Sequence, residues 1–154
     1  MHLHSRFEKL QPLARALFRA MLSTIFISAG LNHLLRPDFI AERLVHAPMG
    51  HIATTVADPK LLTITAGVGL LTGGLALLFG FRTHLSSLLL LALLIPITLT
   101  VQVGGLSTMG PFFKNLGLAG GLIYFATHGS HEFSLDAWRL KKASSKRLPV
   151  PRSI

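Results

Sequence analysis

The chain has 154 residues, half of them hydrophobic and only 14% charged, against roughly 25% charged in soluble domains. Its 15 Lys and Arg outnumber 6 Asp and Glu, an excess that raises nucleic acid as a partner. The absence of cysteine removes disulfide relays, iron–sulfur clusters and thiolate zinc sites.

Charge-free runs set the elements. Residues 83–113 and 61–81 carry no Asp, Glu, Lys or Arg, and neither do two shorter flanking stretches, 20–35 and 115–131. A bilayer core needs roughly 20 apolar residues per helix. A soluble bundle would show polar stripes at helical spacing, whereas 85–94 has only Ser86 and Ser87. The expected fold is therefore all-α: a four-helix transmembrane bundle, helices about 13–35, 60–81, 84–106 and 111–128, spanning 13–136. Residues 1–12 read as a basic cytoplasmic lead. The first apolar run is long enough to remain an anchor rather than a cleaved leader, with Arg19 snorkelling to the headgroups. Arg36-Pro37-Asp38 ends the first span, because the residue before proline disfavours the helical region. In 38–59, Phe39, Ile40, Leu44 and Val45 alternate with Glu42, Arg43 and His46, as in a short interfacial helix, which Pro48-Met49-Gly50 breaks. Asp58-Pro59 opens the second span. Gly80–Thr83 is so short that the second and third spans form an antiparallel hairpin. Pro96 predicts a kink in the third, and Gly110-Pro111 starts the fourth, the shortest.

The four-residue spacing of Gly69 and Gly73, repeated by Gly117 and Gly121, allows close helix approach. The expectation is packing inside one bundle, with dimerisation the alternative. The basic tail 137–154 carries Lys141, Lys142, Lys146 and Arg147, read as contacts for anionic headgroups. Most cations lie before the first span, in the turn at Arg82 or in this tail. Only Arg36, Arg43, Lys60 and Lys114 fall on the other side. The positive-inside rule then puts both termini in the cytoplasm of a multi-pass inner-membrane protein. This distribution also points the basic excess at lipid and not at nucleic acid.

No carboxylate lies inside a span, which disfavours a pump or ion-coupled transporter. Polar groups cluster by depth instead. Asn32, His33, Gln102, Lys114 and Asn115 fall on the outer side, and Arg82, His84 and His128 on the inner. His33, Gln102, Lys114 and Asn115 are the candidate lining of a pocket at the bundle mouth. Lys114 and His33 would donate to a carbonyl or an anion, with Gln102 deeper, and a quinone head suits that depth. The alternative is that each is an interfacial residue satisfied by water. His84 and His128 sit too near the bundle edge to favour axial haem ligation. No metal-ligand spacing appears, so no metal is expected.

Beyond these patterns, Phe112-Phe113-Lys114-Asn115-Leu116-Gly117, running on through Gly120-Gly121-Leu122-Ile123 to Gly129 and then Phe133-Ser134-Leu135-Asp136, resembles the last span of the DoxX family of small four-helix membrane proteins. The first-helix ending at 26–37 and the Gly-Leu stretch at 73–82 resemble it too, over roughly 16–136. The resemblance implies a bacterial plasma membrane. It also implies a link to the family's namesake, a membrane subunit that passes electrons from a sulfur compound to the quinone pool, or to accessory subunits of larger complexes. By position it singles out His33, Lys114, Asn115 and Asp136, none with an established catalytic role. Two functions follow as expectations: an integral membrane subunit of a redox system that contacts quinone, or a non-enzymatic accessory subunit docking onto other membrane protein subunits. A small-solute transporter or lipid-binding protein is a third class.

Overall fold

The computed structural model describes residues 2–103, 108–130 and 133–145, and every regular element among them is helical. In chain order these are α1 (His2–Leu35), α2 (Pro37–Val45), α3 (Gly50–Val56), α4 (Pro59–Phe79), α5 (Thr83–Gln102), α6 (Met109–His128) and α7 (Leu135–Ser145). Among the described residues, three helices are long and apolar enough to cross a membrane: α1 over Glu8–Leu35, α4 and α5. α6 matches α5 in length, but Lys114, Asn115 and His128 make it less apolar.

The first helix does not start at 13. It begins at His2 and runs through Pro12 as one element of 34 residues. Leu3, Phe7 and Leu10 continue the helical spacing upstream, a periodic signal that outweighs the one backbone bond Pro12 removes. The connection to α4 is likewise not one short helix but two. α2 has Pro37 at its first position, and its turn into α3 is pinned where the Met49 N–H donates to the Thr100 carbonyl at 3.2 Å. Gly50 makes that turn possible, since a Cβ there would collide with the Leu44 carbonyl oxygen. α4 starts as its sequence requires. Asp58 Oδ1 accepts from the N–H groups of Lys60 and Leu61, both at 3.0 Å, with Pro59 at the first helical position. It ends at Gly80, left-handed at φ 61°, with the Phe81 N–H reaching back to the Ala76 carbonyl at 2.8 Å. Residues 104–107 lie outside the described segments, as does the expected extension of the third span to 106.

The core draws two residues from each of four helices: Leu22 and Phe26 of α1, Leu70 and Leu77 of α4, Leu90 and Leu94 of α5, and Leu122 and Phe125 of α6. Small residues bring these helices together. A Cβ on Gly30 would lie 2.6 Å from the Leu71 backbone nitrogen, and one on Gly67 2.8 Å from His33 Cβ, so α1 and α4 touch backbone to backbone. Gly69 and Gly73 face Leu93 and Leu90 of α5, and Gly121 faces Phe18 and Leu22 of α1. Gly117 departs from the pattern, with nothing among the described residues within 4 Å of its missing Cβ. Outside the core, Met21, Leu88, Leu99 and Ile123 stand exposed along the helices, an apolar surface larger than soluble monomers present.

Arg19 does not snorkel. It is only 5% exposed, and its Nη2 donates to the Phe133 carbonyl at 2.5 Å. Nearby, Asp136 of α7 caps α5. Its Oδ1 accepts from the Arg82 N–H at 2.8 Å, and its Oδ2 from the N–H and hydroxyl of Thr83, both at 2.9 Å. The Asp136 N–H returns to the Gly80 carbonyl at 3.0 Å. Burial pushes this carboxyl up, but the bonds from Thr83 and Arg82 and the charge of Arg139 outweigh it and hold the group below its ordinary value. Arg139 also lies over the Phe81 ring at 4.6 Å, and Lys142 over Trp138 at 4.9 Å. Of the tail cations, Lys141 and Lys142 are exposed on α7, while Lys146 and Arg147 lie outside the described residues.

Candidate functional site

The end of α1, the start of α4, the end of α5 and the start of α6 converge on one side of the molecule, where α2 and α3 cross between them. They enclose a cavity of about 550 Å³. α1 contributes Asn32 and His33, α2 contributes Ile40, Arg43 and Leu44, and α3 adds Ala53. α4 supplies Leu62, Thr63, Thr65 and Ala66, and α6 supplies Pro111 and Lys114. The α5 wall is Leu93, Pro96, Ile97, Thr100, Val101 and Gln102. Among the described residues most of this lining is apolar, and it contains two permanent cations, Arg43 and Lys114, and no carboxylate.

Three of the four residues expected at the mouth thus meet in one cavity: His33, Gln102 and Lys114. Asn115 does not. It is 5% exposed and turns toward α5, its Nδ2 donating to Thr98 Oγ1 at 2.9 Å, while that hydroxyl donates to the Leu94 carbonyl at 2.6 Å. One helical step separates Lys114 from Asn115, and about 100° of rotation takes one to the rim and the other behind the wall. Arg43 was missed as a cavity residue, because its place on a short amphipathic helix does not reveal that α2 packs across the bundle mouth. Thr63 was missed for want of any polar pattern around it. It is 3% exposed, and its hydroxyl oxygen finds no partner among the described residues. Gln102 Oε1 is buried in the same way, also without a partner.

His33 sits half-buried on the wall. Its Nδ1 lies 2.8 Å from the Ala29 carbonyl of its own helix. A carbonyl only accepts, so Nδ1 carries the proton, and in the neutral ring Nε2 is an acceptor. The donor role expected for His33 is therefore taken up within α1. Lys114, Arg43 and Asn32 are exposed at the rim.

His84 and His128 are occupied with the fold. His84 Nδ1 donates to the Ala126 carbonyl at 2.8 Å. His128 stacks on Tyr124 with ring centroids 4.6 Å apart. Among the described residues, no group of three His, Asp or Glu side chains converges.

Three apolar spans with lipid-facing surfaces, around a core shared by four helices, define a helical membrane protein. The DoxX family model matches residues 14–103, more than half of the chain, and the chain belongs to the DoxX family. The match takes in α2 to α5 and nearly all of α1 beyond its lead, and so every wall of the cavity except α6. The likeness noted at 112–136 lies beyond it. Neither the curated proteins nor the solved structures yield a match.

Proposed function

We propose that this chain is the integral membrane subunit of a redox system and that its cavity holds the head of a quinone. In this reading α6 is a fourth span, α2 and α3 lie at the outer interface, and both termini face the cytoplasm of a bacterial inner membrane. The observation that carries the proposal is the cavity itself. Small-molecule sites typically enclose about 300–1,000 Å³ of largely apolar space with a few polar groups that fix orientation, and this one fits that range. It opens where four helix ends meet the interface, the depth at which a lipid-soluble ring with a long apolar tail presents its oxygens. Lys114 and Arg43 supply donors to those oxygens, and no carboxylate competes for them.

Titrating the purified protein in detergent with a short-tailed benzoquinone tests the reading. Saturable binding is expected, weakened about tenfold by Lys114→Ala, the loss of one charge-assisted hydrogen bond. No binding to the wild-type protein would sink it.

A second reading is favoured by the outward face of α6. Phe113, Leu116 and Ile123 are exposed there, and Gly117 and Gly120 have open space in front of them. On this view the chain is an accessory or assembly subunit whose α6 docks onto a larger membrane complex. A gentle-detergent pull-down that recovers a stoichiometric larger partner, from a chain that binds no quinone, would favour it over the first.

A further inference from the structure

We infer that the cavity opens sideways into the membrane between α1 and α6, and that this seam holds the apolar tail of the ligand whose head the cavity takes. The inference names the substrate class, a quinone with one long alkyl or isoprenoid chain; it rests on the quinone reading, with α6 as a span. Around the cavity, three of the four seams between the long helices are closed. α1 meets α4 where a Cβ on Gly30 would lie 2.6 Å from the Leu71 backbone nitrogen and one on Gly67 2.8 Å from His33 Cβ. Gly69 of α4 seats against Leu93 of α5. Asn115 of α6 donates to Thr98 of α5 at 2.9 Å. The cover is one-sided as well, since α2 packs chiefly on α4, and α3 on α5 and α4.

The fourth seam parts. α1 and α6 meet in the half away from the cavity, where a Cβ on Gly121 would lie 3.0 Å from Phe18 and 3.2 Å from Leu22. The Phe18 and Phe125 rings there are 5.3 Å apart. Two turns nearer the cavity, on the same face of α6, stands Lys114, which is exposed. On α1 the matching stripe passes Ile25, 39% exposed, and then Ala29, Asn32 and His33, which line the cavity. Gly117, one turn from Gly121, has open space before it among the described residues. The cavity thus runs on into a cleft flanked by Ile25 and the Gly117 edge of α6. A tail leaving past Arg43 and Lys114 would enter water and forfeit the burial of its methylenes, whereas a tail in the seam stays in apolar surroundings.

The test uses the full-length protein in lipid nanodiscs and a benzoquinone whose decyl tail carries a diazirine, irradiated and mapped by mass spectrometry. Adducts are expected around Ile25 and Gly117, suppressed by excess decyl-benzoquinone without the diazirine. Suppressible adducts on α2, α3 or the α4–α5 face instead would overturn the inference. The chain has no cysteine, so an Ile25→Cys/Gly117→Cys variant can be bridged across the seam by a cleavable bis-thiosulfonate, and neither position lines the cavity. Bridging should abolish the suppressible adduct. Cleaving the bridge, with the reductant removed before labelling, should restore it, which a misfolded variant could not do. An adduct that survives bridging overturns the inference, and the wild-type adduct map alone decides if the double variant does not fold. Where no suppressible adduct forms but short-tailed benzoquinone still binds, the side opening falls and the quinone reading is kept. Where neither is seen, both fall.

Discussion

Asp136 shows how a single carboxylate organises one end of the bundle. It answers two orphan amides and a hydroxyl at the start of α5 from an element that follows much later in the chain. Its folded value lies below its ordinary one. Its stabilisation is therefore present above the ordinary carboxylate range near pH 4 and lost as pH falls through the depressed folded value. Asp136→Ala is expected to cost about 1 kcal/mol at neutral pH, as the loss of a helix cap does. It should also flatten the acid limb of stability below about pH 4, read by thermal melts in detergent. A melting temperature unchanged at pH 7 would deny the cap its role. Asp58 was legible as a cap because it sits beside Pro59 at the helix it serves. Asp136 was visible only as a matched position in the family likeness, since its partners Arg82 and Thr83 lie 54 and 53 positions away. Arg19 was misread for the same reason. The Phe133 carbonyl that receives it is 114 positions downstream, and no local pattern announces that a membrane arginine has a buried acceptor.

At the scale of the element, hydropathy locates helices but does not say what each face meets. The spans at α4 and α5 were readable from uninterrupted apolar runs and their bounding Asp58-Pro59 and Gly80. The division of the outer segment into α2 and α3 was not, because it depends on a backbone approach that only Gly50 permits. Nor could spacing separate packed glycines from open ones: Gly121 touches α1, while Gly117, one turn away, touches nothing. This difference is testable. Gly30→Ala drives a methyl into the α4 backbone, which cannot yield as a side-chain tip can, and should destabilise by about 1–3 kcal/mol. Gly117→Ala should stay within about 0.5 kcal/mol of wild type. Chemical unfolding in mixed micelles would compare the two. Equal losses would mean that α1 and α4 are not in the close contact described. The candidate cavity was legible in part by the same measure. His33, Gln102 and Lys114 share a depth that sequence position reveals, but the rotation that takes Asn115 behind the wall and the crossing of α2 that brings in Arg43 are tertiary facts.

For the whole molecule, the distribution of cations predicts orientation. A green fluorescent reporter fused after Ile154 should fluoresce, because it folds in the cytoplasm, and an alkaline phosphatase fused there should stay inactive. The opposite pair of signals would place the cavity on the cytoplasmic side and reverse which pool of ligands it meets. The shared core carries a further implication. The segment that defines the family stops at residue 103, yet two of the eight core side chains, Leu122 and Phe125, and the carboxylate that closes the start of α5 all come after it. Transplanting the matched segment alone into another scaffold would deliver three long apolar helices with an unfilled groove and bare amide donors at the start of α5. A working chimera has to carry the chain through Asp136, so for this protein the unit that inherits as a sequence signature is shorter than the unit that stands up in the bilayer.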